Sequence, residues 1–271
     1  MCPLHDLPCA VTKVRPELDI SEQVVLVTGG ARGLGRHIVE SFAGQGARIV
    51  VNYRQSQQAA KDLAAVYGPE YALTVRSDVT DPEQVSAMFQ TAHDHFGAPI
   101  TTVVNNALVD FSFNGDARLG AETIGWENFD GLFTGSVRGA LNTVQAAVPG
   151  MRKRGFGRVI NIGTNLFQDP VVPYHDYTAA KAALLSLTRT LAADLGPHQI
   201  SVNMVSGGLL QTTDASAATP DEVFDFIASS TPLRKATTPT EFADAILFFA
   251  SPWARAVTGQ NLVVDGGLVM N

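Results

Sequence analysis

Short apolar runs rich in Val and Ile alternate along this chain with longer segments in which apolar positions recur every three or four residues. Runs of the first kind predict buried β-strands, and segments of the second kind predict amphipathic α-helices. Strands are predicted over residues 23–28, 47–52, 72–76, 100–104, 158–162, 200–205 and 261–264. Helices are predicted after the first strand, over residues 57–67, 82–96 and 126–148, from Tyr177 towards residue 196, and over 239–249.

The alternation of strand and helix predicts an α/β fold, in which one doubly wound parallel sheet carries helices on both faces. Capping residues predict some helix ends: Asp81 and Pro82 start one helix, and Pro149 with Gly150 is expected to stop another. Ligands of such sheets bind beyond the carboxyl ends of the strands. Functional residues are therefore expected in the segments that follow the strands.

The first predicted strand leads into a glycine-rich turn formed by Gly29, Gly30, Gly33 and Gly35, and then into a helix. Glycines let the backbone turn sharply and approach a pyrophosphate, which the helix N-terminus then stabilises. The alternative is a tight turn that is glycine-rich for structural reasons only. The order of strand, turn and helix favours a dinucleotide site.

The second predicted strand ends in Tyr53-Arg54. It therefore lacks the acidic residue that would accept hydrogen bonds from the 2′-hydroxyl of an adenosine ribose. Arg32, inside the glycine turn, and Arg54 are guanidinium groups that could meet a 2′-phosphate. Together they predict NADP(H) as the cofactor, in preference to NAD. Two surface arginines without function are the alternative.

Tyr177 and Lys181 lie one turn apart on a predicted helix of small residues. On one helix face, the Lys181 ammonium would favour the ionised phenol and is expected to lower the pKa of Tyr177 from about 10 towards neutrality. Such a phenol can protonate a carbonyl near pH 7. Thr164, at the exit of the preceding strand, is placed to offer a hydroxyl to the same site. On most helices the same pair would be a surface contact.

Composition indicates an ordinary globular protein, because 271 residues with an apolar fraction of 45% can bury a full core. The net charge of −7 argues against nucleic-acid or anionic-membrane partners. No apolar run reaches the roughly 18 residues that span a bilayer. Cys2 and Cys9 both lie in the polar leader, so we expect no disulfide framework and a cytoplasmic setting. No His/Cys/Glu cluster has the spacing of metal ligands.

The chain is interpreted as a mobile extension, residues 1–21, followed by one domain, residues 22–271. The loop after the fourth strand carries Phe111 and Phe113, which either pack inward or line a substrate pocket. The segment from about 212 to 235 is rich in small and polar residues around a short amphipathic stretch. It is predicted to be a lid over the site, with a plain surface loop as the alternative.

Four motifs occur in a fixed order: Thr28-Gly29-x-x-x-Gly33-x-Gly35, Asn105-Asn106-Ala107, Tyr177-x-x-x-Lys181, and Thr258-Gly259-Gln260 followed by Asp265-Gly266-Gly267. Together they resemble the short-chain dehydrogenase/reductase family over nearly all of residues 23–271. Within the family, the chain looks most like the branch named 3-oxoacyl-(acyl-carrier-protein) reductase. The resemblance implies a single Rossmann-like domain, commonly assembled as a tetramer.

The resemblance also implies roles for individual residues. Tyr177 would be the general acid, Lys181 would bind the nicotinamide ribose and lower the Tyr177 pKa, and Thr164 stands where a serine usually binds the substrate carbonyl. Ser136 stands where an asparagine usually holds a water chain to the lysine. The residues implied to bind the dinucleotide are Gly29, Arg32, Gly33, Leu34, Gly35, Tyr53, Arg54, Asp78, Val79, Asn105, Ala107, Tyr177, Lys181, Leu210 and Thr212.

Several residues depart from the family pattern near the expected substrate. Thr164 keeps a hydroxyl but restricts its rotamers, so activity should be reduced or retuned and not abolished. Ser136 could still hold a water, with fewer hydrogen bonds than asparagine. Leu108 replaces a customary glycine, and Gly207 replaces a customary proline.

The motifs and the departures from the family pattern lead to two hypotheses about function. The first is an NADPH-dependent carbonyl reductase, in which hydride passes to a ketone carbon while Tyr177 protonates the oxygen. The second is an NADP-binding regulatory protein that has lost turnover, which the residues Thr164, Ser136 and Leu108 suggest. For the enzyme, a 3-oxoacyl thioester, with acyl carrier protein as partner, and a small or cyclic ketone are both possible substrates.

Overall fold

The computed structural model describes residues 17–108, 111, 113, 117–211, 213, 216 and 219–270. Within this part the chain forms a seven-stranded parallel sheet flanked by α-helices. The strands are β1 Val24–Val27, β2 Arg48–Tyr53, β3 Ala72–Arg76, β4 Thr102–Asn105, β5 Gly157–Thr164, β6 Ile200–Gly207 and β7 Asn261–Val264. The helices are α1 Gly33–Gly44, α2 Gln57–Tyr67, α3 Pro82–Phe96, α4 Trp126–Phe133, α5 Gly139–Arg154, α6 His175–Leu195, α7 Asp221–Ser230 and α8 Pro239–Ala250.

The order of strands across the sheet is β3-β2-β1-β4-β5-β6-β7. The chain winds from β1 to β3 in one direction, crosses back to β4 and continues to β7, with at least one helix in every crossover. This confirms the predicted doubly wound α/β sheet. The change of direction between β1 and β4 opens a crevice at their carboxyl ends, where ligands of such sheets bind.

Apolar side chains cover both faces of the sheet. Alternate residues of β1 show the two sides: Val25 and Val27 pack in a cluster with α1, α2 and α8, whereas Val24 and Leu26 pack in a cluster with α3, α5 and α6. All four side chains are buried. A strand covered on both faces needs apolar residues at every position, which explains the continuous apolar runs in the sequence.

The long helix predicted over residues 126–148 differs from the structure in two ways. A π-helical segment, Thr134–Arg138, separates α4 from α5, and α5 continues past Pro149. The predicted stop at Pro149 is therefore wrong. Proline removes the hydrogen bond to the carbonyl of Gln145, but both residues are exposed, so water can bind the released carbonyl. The helix ends instead at Gly155, whose positive φ of 68° is typical of a helix C-terminus.

Of the predicted mobile extension, residues 1–21, the structure describes residues 17–21. Glu17 forms an ion pair with the buried Arg158 of β5. Leu18 is buried, and its carbonyl oxygen accepts a hydrogen bond from Gln23 Nε2. The last residues of the predicted extension therefore contact β5 and the residue that precedes β1, and the limits of the domain stay a prediction.

The predicted lid, residues 212–235, is described at α7 and in the turn that follows it. α7 contains no fully buried side chain, and Phe226 on this helix is exposed. Thr231, just beyond the helix, is buried and donates a hydrogen bond to the carbonyl oxygen of Lys235. The turn is thus anchored to the domain, whereas α7 lies on the surface, and closure of a lid stays a prediction.

Two classes of feature are missing from the described ranges. No helix there combines the length and the apolar character that crossing a membrane requires. Those ranges also contain no group of three or more His, Cys, Asp or Glu side chains that could hold a metal ion.

Candidate active site

The glycine turn between β1 and α1 follows a backbone path that requires glycine. Gly29 and Gly33 have positive φ angles of 62° and 53°, and a Cβ atom at Gly35 would lie 2.2 Å from the carbonyl oxygen of Gly29. At Gly33, the first residue of α1, a Cβ atom would meet nothing within 4 Å. The N-terminus of the helix therefore opens onto free space. A phosphate group fits such a place, because the first N–H groups of the helix point towards it.

Side chains from three neighbouring strand ends hold the glycine turn. The Thr28 hydroxyl accepts hydrogen bonds from the backbone N–H groups of Asn106 and Ala107. Asn106 Nδ2 donates to the carbonyl oxygens of Thr28 and Gly29 at 2.9 and 3.3 Å. Asn52, at the end of β2, accepts from the N–H of Gly29. The ends of β1, β2 and β4 are therefore fixed to one another around the turn.

Three arginines lie at the carboxyl ends of β1, β2 and β3. Arg32 precedes α1 and Arg54 follows β2, as the sequence predicted, and Arg76 ends β3. Arg54 Nη1 is 3.8 Å from Asp78 Oδ2, and Arg76 Nε donates to the carbonyl oxygen of Arg54. The pairing of Tyr53 with Arg76 between β2 and β3 accounts for this placement. The sequence motifs did not point to Arg76, although the register of the two strands could have revealed it.

Asn105 is part of a buried polar network beneath the crevice. Its Nδ2 atom donates to Asn161 Oδ1 at 2.9 Å, and its Oδ1 atom accepts from the Thr143 hydroxyl at 2.7 Å. Asn161 in turn donates to Thr188 on α6. The network links β4 and β5 to helices α5 and α6. Both ends of the Asn105 amide are therefore engaged within the protein.

Three of the four predicted catalytic side chains, Tyr177, Lys181 and Thr164, lie together at the carboxyl end of β5, whereas the fourth, Ser136, lies in the π-helical segment. All three are buried. The Tyr177 phenol forms a hydrogen bond with the Thr164 side chain. Lys181 Nζ donates to the carbonyl oxygen of Ile162 at 2.7 Å and lies 5.8 Å from the centroid of the Tyr177 ring. The i, i+4 spacing on α6 therefore brings the ammonium and the phenol into one buried site.

The protonation state of this site differs from the sequence prediction. Burial raises the pKa of Tyr177 to about 12, against a smaller opposite effect of the hydrogen bond with Thr164. Burial also lowers the pKa of Lys181 to about 8. The predicted shift of the Tyr177 pKa towards neutrality is therefore not found in the chain alone, because burial of the phenol raises its pKa more than the hydrogen bond with Thr164 lowers it. At neutral pH the phenol keeps its proton.

A small cavity of about 10 Å³ lies between Lys181 and the π-helical segment. It has the size of a single water molecule. Its polar lining comes from Thr28, Asn105, Ser136 and Lys181. The other lining residues are Val79, Ala107, Gly135, Gly139, Ala140 and Leu184. Four other predicted site residues therefore line the same cavity as Lys181: Val79, Asn105, Ala107 and Ser136.

Aromatic rings surround the Tyr177 phenol, and we call Phe111, Phe113, Tyr174 and Tyr177 the aromatic group. Phe111 stacks on Tyr177 with ring centroids 4.7 Å apart and ring planes 15° apart. Phe113 meets Tyr177 edge-on at 5.2 Å, and both phenylalanines meet Tyr174 edge-on. Both phenylalanines thus pack against Tyr177. Phe111 also lines a cleft of about 740 Å³, so a role in a substrate pocket stays a prediction for this residue.

Comparison with known proteins agrees with this geometry. Residues 29–269 match a family model described as enoyl-(acyl carrier protein) reductase. A short-chain type dehydrogenase/reductase of Picea abies is 32% identical over 256 residues, which cover 91% of this chain and 92% of the relative. The chain belongs to the short-chain dehydrogenase/reductase family. It is therefore an oxidoreductase that acts on CH–OH and C=O groups.

Two further relatives carry more specific names. An NADPH-dependent aldehyde reductase of Arabidopsis thaliana is 28% identical over 268 residues, covering 94% of this chain and 97% of the relative. A 3-oxoacyl-(acyl-carrier-protein) reductase of Vibrio cholerae is 30% identical over 255 residues, covering 93% of this chain and 100% of the relative. Short-chain dehydrogenases/reductases with different named substrates thus match the chain to a similar degree.

The residues that depart from the short-chain dehydrogenase/reductase pattern have structural partners. Leu108 packs with the cluster that contains Tyr177. At Gly207, a Cβ atom would lie 2.8 Å from the ring of Phe242, so the customary proline would require this buried ring to move. Ser136 lies in the π-helical segment and borders the small cavity. These departures are therefore accommodated by local packing.

A buried pair that the sequence did not reveal joins the end of β5 to the C-terminal segment. Asn165, next to Thr164, donates from Nδ2 to Asp265 Oδ2 at 2.9 Å, and both residues are buried. Asp265 also accepts three backbone N–H groups, from Gly267, Leu268 and Val269. The two residues are 100 positions apart in sequence. Only the adjacent carboxyl ends of β5, β6 and β7 bring them together.

The remaining predicted cofactor residues lie at the edge of the crevice or outside the described part. Leu34 and Leu210 are partly buried and pack against the core cluster on the α1 side of the sheet. Leu210 also pairs with Thr237 in an isolated bridge. Thr212 lies outside the described residues.

Proposed function

We propose that this protein is an NADP(H)-dependent carbonyl reductase in which Tyr177 protonates the carbonyl oxygen. The observation that carries this proposal is the buried arrangement of Tyr177, Thr164 and Lys181 at the same sheet edge as the glycine turn. A proton donor, a hydroxyl partner and a cation are the groups that reduction of a carbonyl requires. The buried position of all three limits their contact with water.

The residues of the crevice fit a nicotinamide dinucleotide. The open space at Gly33, at the N-terminus of α1, supports binding of the pyrophosphate there. When bound, the dinucleotide supplies the hydride. Gly29, Gly35 and Leu34 belong to the same turn and helix start, and we assign them to this binding site. Tyr53, Asp78, Val79, Asn105, Ala107, Leu210 and Thr212 are proposed as its further contacts.

The proposed proton transfer follows from the protonation states of the site. Because the pKa of Tyr177 is raised to about 12, the phenol holds the proton that the carbonyl oxygen is to receive. The Thr164 hydroxyl, already bonded to the phenol, is placed to orient the same oxygen. The Lys181 ammonium stabilises the phenolate that the transfer leaves behind. The small cavity beside Ser136 and Lys181 provides room for a water that returns the proton.

The preference for NADP(H) is supported by the cations at the crevice. Arg32, Arg54 and Arg76 lie where the first three strands end, and the end of β2 carries no carboxylate to bind an adenosine ribose. Guanidinium groups suit the dianionic 2′-phosphate. One of the relatives is named as NADPH-dependent.

The candidates for the substrate are a 3-oxoacyl thioester, with acyl carrier protein as the partner, and a small or cyclic ketone. The relative from Vibrio cholerae, which carries that name, matches over its whole length. Both candidates share the same chemistry at Tyr177 and differ in what the crevice must accommodate. The catalytic proposal therefore does not depend on the choice between them.

We also propose that the protein assembles as a homotetramer in the cytoplasm. Support for self-association comes from apolar side chains exposed near the edge strand of the sheet: Leu262 on β7, Phe248 on α8 and Trp253 just after α8. Single exposed residues are common, but an apolar set beside an open sheet edge suits a second copy. Light scattering on purified protein tests this, and a monomer at micromolar concentration would contradict it.

The experiment that tests the proposed activity follows NADPH and NADH oxidation by the purified full chain. Small ketones, cyclic ketones and acetoacetyl thioesters serve as substrates. We expect ketone-dependent oxidation with a kcat/KM for NADPH at least about tenfold above that for NADH, corresponding to about 1.4 kcal/mol. Dinucleotide binding without oxidation by any of these substrates would contradict the proposal.

A further inference from the structure

Four buried polar side chains form a continuous chain of hydrogen bonds from α5 through the two central strands to α6. The Thr143 hydroxyl of α5 donates to Asn105 Oδ1, and Asn105 Nδ2 donates to Asn161 Oδ1. Asn161 Nδ2 donates to the Thr188 hydroxyl of α6 at 2.8 Å, and that hydroxyl donates to the carbonyl oxygen of Leu184. The chain of hydrogen bonds therefore ends on the helix that carries the proposed proton donor.

Asn161 lies at the point where β5 extends past its neighbour β4. It pairs with Asn105, the last residue of β4, so Ile162 is the first residue of β5 beyond the end of that strand. The carbonyl oxygen of Ile162 accepts the hydrogen bond from Lys181 Nζ at 2.7 Å. The side chain that bonds Thr188 and the carbonyl that bonds Lys181 therefore belong to adjacent residues of β5.

One face of α6 carries Tyr177, Lys181, Leu184 and Thr188. Their spacing of four, three and four residues places them in one stripe along the helix, and all four side chains are buried. The stripe is bonded to β5 at two points, through the Lys181 ammonium and through the Thr188 hydroxyl. The two points lie roughly 10 Å apart along the helix axis. They therefore restrict both sliding and rotation of α6 relative to the strand.

The two points differ in stiffness. Lys181 reaches β5 with a flexible four-carbon stem, so its hydrogen bond alone permits several positions of the helix. Thr188 and Asn161 are short side chains, and the rotamer of a β-branched residue on a helix is restricted. Because both groups are buried, separating them would leave a donor or an acceptor without a partner. A fully satisfied polar network of this kind specifies one arrangement of the elements that it joins.

We propose that Asn161 and Thr188 are positioning residues for the reduction, because they hold α6 in the register that the catalytic site requires. Through this register they place the Lys181 ammonium and the Tyr177 phenol at the end of β5. Neither Asn161 nor Thr188 is itself a catalytic residue. This inference rests on the proposed reductase function. Misplacement of a reacting group by about 1 Å lowers turnover by up to about 100-fold, so a small shift of α6 is enough to be measured.

Thr188→Val tests this proposal, because valine keeps the shape of threonine and removes the hydroxyl that Asn161 bonds. Thr188→Ser is the conservative variant that keeps the hydroxyl. Thr102→Val is the matched control. Thr102 is also fully buried, and its hydroxyl donates to the side-chain amide oxygen of Gln23, but it lies at the amino end of β4. Both valine variants therefore lose one buried hydrogen bond with an amide side chain, at opposite ends of the sheet.

The substrate for these measurements is the ketone or thioester that the wild-type chain reduces fastest. We expect Thr188→Val to lower kcat about tenfold while the NADPH dissociation constant stays within about threefold of wild type. Thr188→Ser should keep kcat within about threefold, and Thr102→Val within about twofold, of wild type. A kcat within about twofold of wild type in Thr188→Val would overturn the proposal. An equal loss of kcat in Thr102→Val, or in Thr188→Ser, would overturn it as well.

A second pair of variants covers the case in which Thr188→Val does not fold. Thr188→Ala removes the hydroxyl without placing a methyl group against the Asn161 amide, and Thr102→Ala is its control. The same loss of kcat is expected in Thr188→Ala alone, and equal values of kcat in the two alanine variants would overturn the proposal. Urea denaturation of each variant shows whether the compared proteins have lost similar stability.

Failure of the reductase function would be seen separately. If the wild-type chain reduces no ketone or thioester although NADPH binds, the reductase proposal fails. Unfolding equilibrium constants without cofactor then decide whether Thr188 positions Lys181. The effects of Thr188→Val and Lys181→Met should deviate from simple multiplication by at least about fivefold in the double variant, whereas those of Thr102→Val and Lys181→Met should multiply within about twofold. Simple multiplication in both double variants would overturn the coupling between Thr188 and Lys181.

Discussion

The carboxyl edge of the sheet has two halves that are built in different ways. The dinucleotide half, at the ends of β1 to β4, consists of a glycine turn held by backbone and amide hydrogen bonds. The substrate half, at the ends of β5 to β7 and in the loop after β4, consists of buried side chains packed from distant parts of the chain. The first half depends on backbone shape, and the second depends on side-chain identity. Mutations should therefore distinguish the two halves. Changes in the dinucleotide half should weaken dinucleotide binding, and changes in the substrate half should lower turnover.

The largest effect on stability and on dinucleotide binding is expected from Gly35→Ala in the dinucleotide half. The added Cβ atom would lie 2.2 Å from the carbonyl oxygen of Gly29, so the backbone must move. We expect the free energy of unfolding to fall by about 3 kcal/mol and dinucleotide affinity to fall at least about 100-fold. Chemical denaturation and fluorescence titration with NADPH measure the two quantities.

Gly44→Ala, on the same helix, is the matched control for Gly35→Ala. A Cβ atom at Gly44 meets nothing within 4 Å. Its stability should therefore stay within about 1 kcal/mol of wild type, with a small gain from helix propensity. Equal losses in both variants would show that the close approach at Gly35 is unimportant.

In the substrate half, Lys181→Met should change how stability depends on pH. Burial lowers the pKa of Lys181 from 10.5 to about 8 in the folded protein. Between these values the unfolded chain binds more protons, so the stability of wild type rises with pH through this window. The variant lacks this rise. The difference in unfolding free energy between wild type and variant should thus change by up to about 3 kcal/mol between pH 7 and 10 in favour of wild type.

Urea denaturation of the two proteins without cofactor, at several pH values, measures this difference. Titration of Tyr177 changes the unfolding free energy of both proteins in the same way and only at higher pH, because burial raises the pKa of Tyr177 from 10.0 to about 12. A difference between the proteins that is constant from pH 7 to 10 would contradict the assignment of a desolvated ammonium to Lys181.

Asn165→Asp should lower turnover and leave dinucleotide binding intact. It places a second carboxylate where Asn165 Nδ2 now lies 2.9 Å from Asp265 Oδ2, next to Thr164. We expect kcat to fall about 30-fold through displacement of the strand end, equivalent to about 2 kcal/mol, with the NADPH dissociation constant within about twofold of wild type.

The double variant Asn165→Asp with Asp265→Asn tests whether the hydrogen bond between positions 165 and 265 is needed for turnover. The exchanged pair can again form a hydrogen bond, with the donor now at position 265, so part of the lost kcat should return. Asp265→Asn alone should also reduce kcat, because the backbone N–H groups that it binds lose an acceptor oxygen. Absence of any recovery in the double variant, with binding and thermal stability falling together, would indicate a purely structural role.

The smallest effect is expected from Arg76→Gln, which tests cofactor choice within the dinucleotide half. Removal of one of three cations should weaken NADPH binding by about five- to tenfold and leave NADH binding nearly unchanged. Arg152→Gln, at the exposed end of α5, is the control. An equal change in the affinities for NADPH and NADH would show that Arg76 does not recognise the 2′-phosphate.

The sequence predicts the dinucleotide half better than the substrate half for a physical reason. The strands and the glycine turn are local patterns, and the fold they imply agrees with the observed sheet. Helix limits were predicted well where a cap is local, as at Asp81, whose side chain accepts from the first turn of α3. The stop at Pro149 was predicted wrongly, because solvent exposure of the kinked turn depends on tertiary structure.

In the substrate half the decisive contacts are not local. Stacking of Phe111 on Tyr177 and the Asn165–Asp265 pair join residues that no sequence spacing connects. The pKa of Tyr177 is the clearest case: the i, i+4 lysine predicts a lowered value, whereas burial of the phenol raises it. Burial at one position is a property of the whole fold, so it could not be predicted from the motif.

The central claim is that Tyr177 delivers the proton in the substrate half while the dinucleotide half binds the cofactor independently. The most direct test is Tyr177→Phe, which removes the phenol oxygen and keeps the ring that stacks with Phe111. We predict a kcat for ketone reduction at least about 1,000-fold below wild type, with an unchanged NADPH dissociation constant. Turnover within about tenfold of wild type, with NADPH bound as before, would contradict the account.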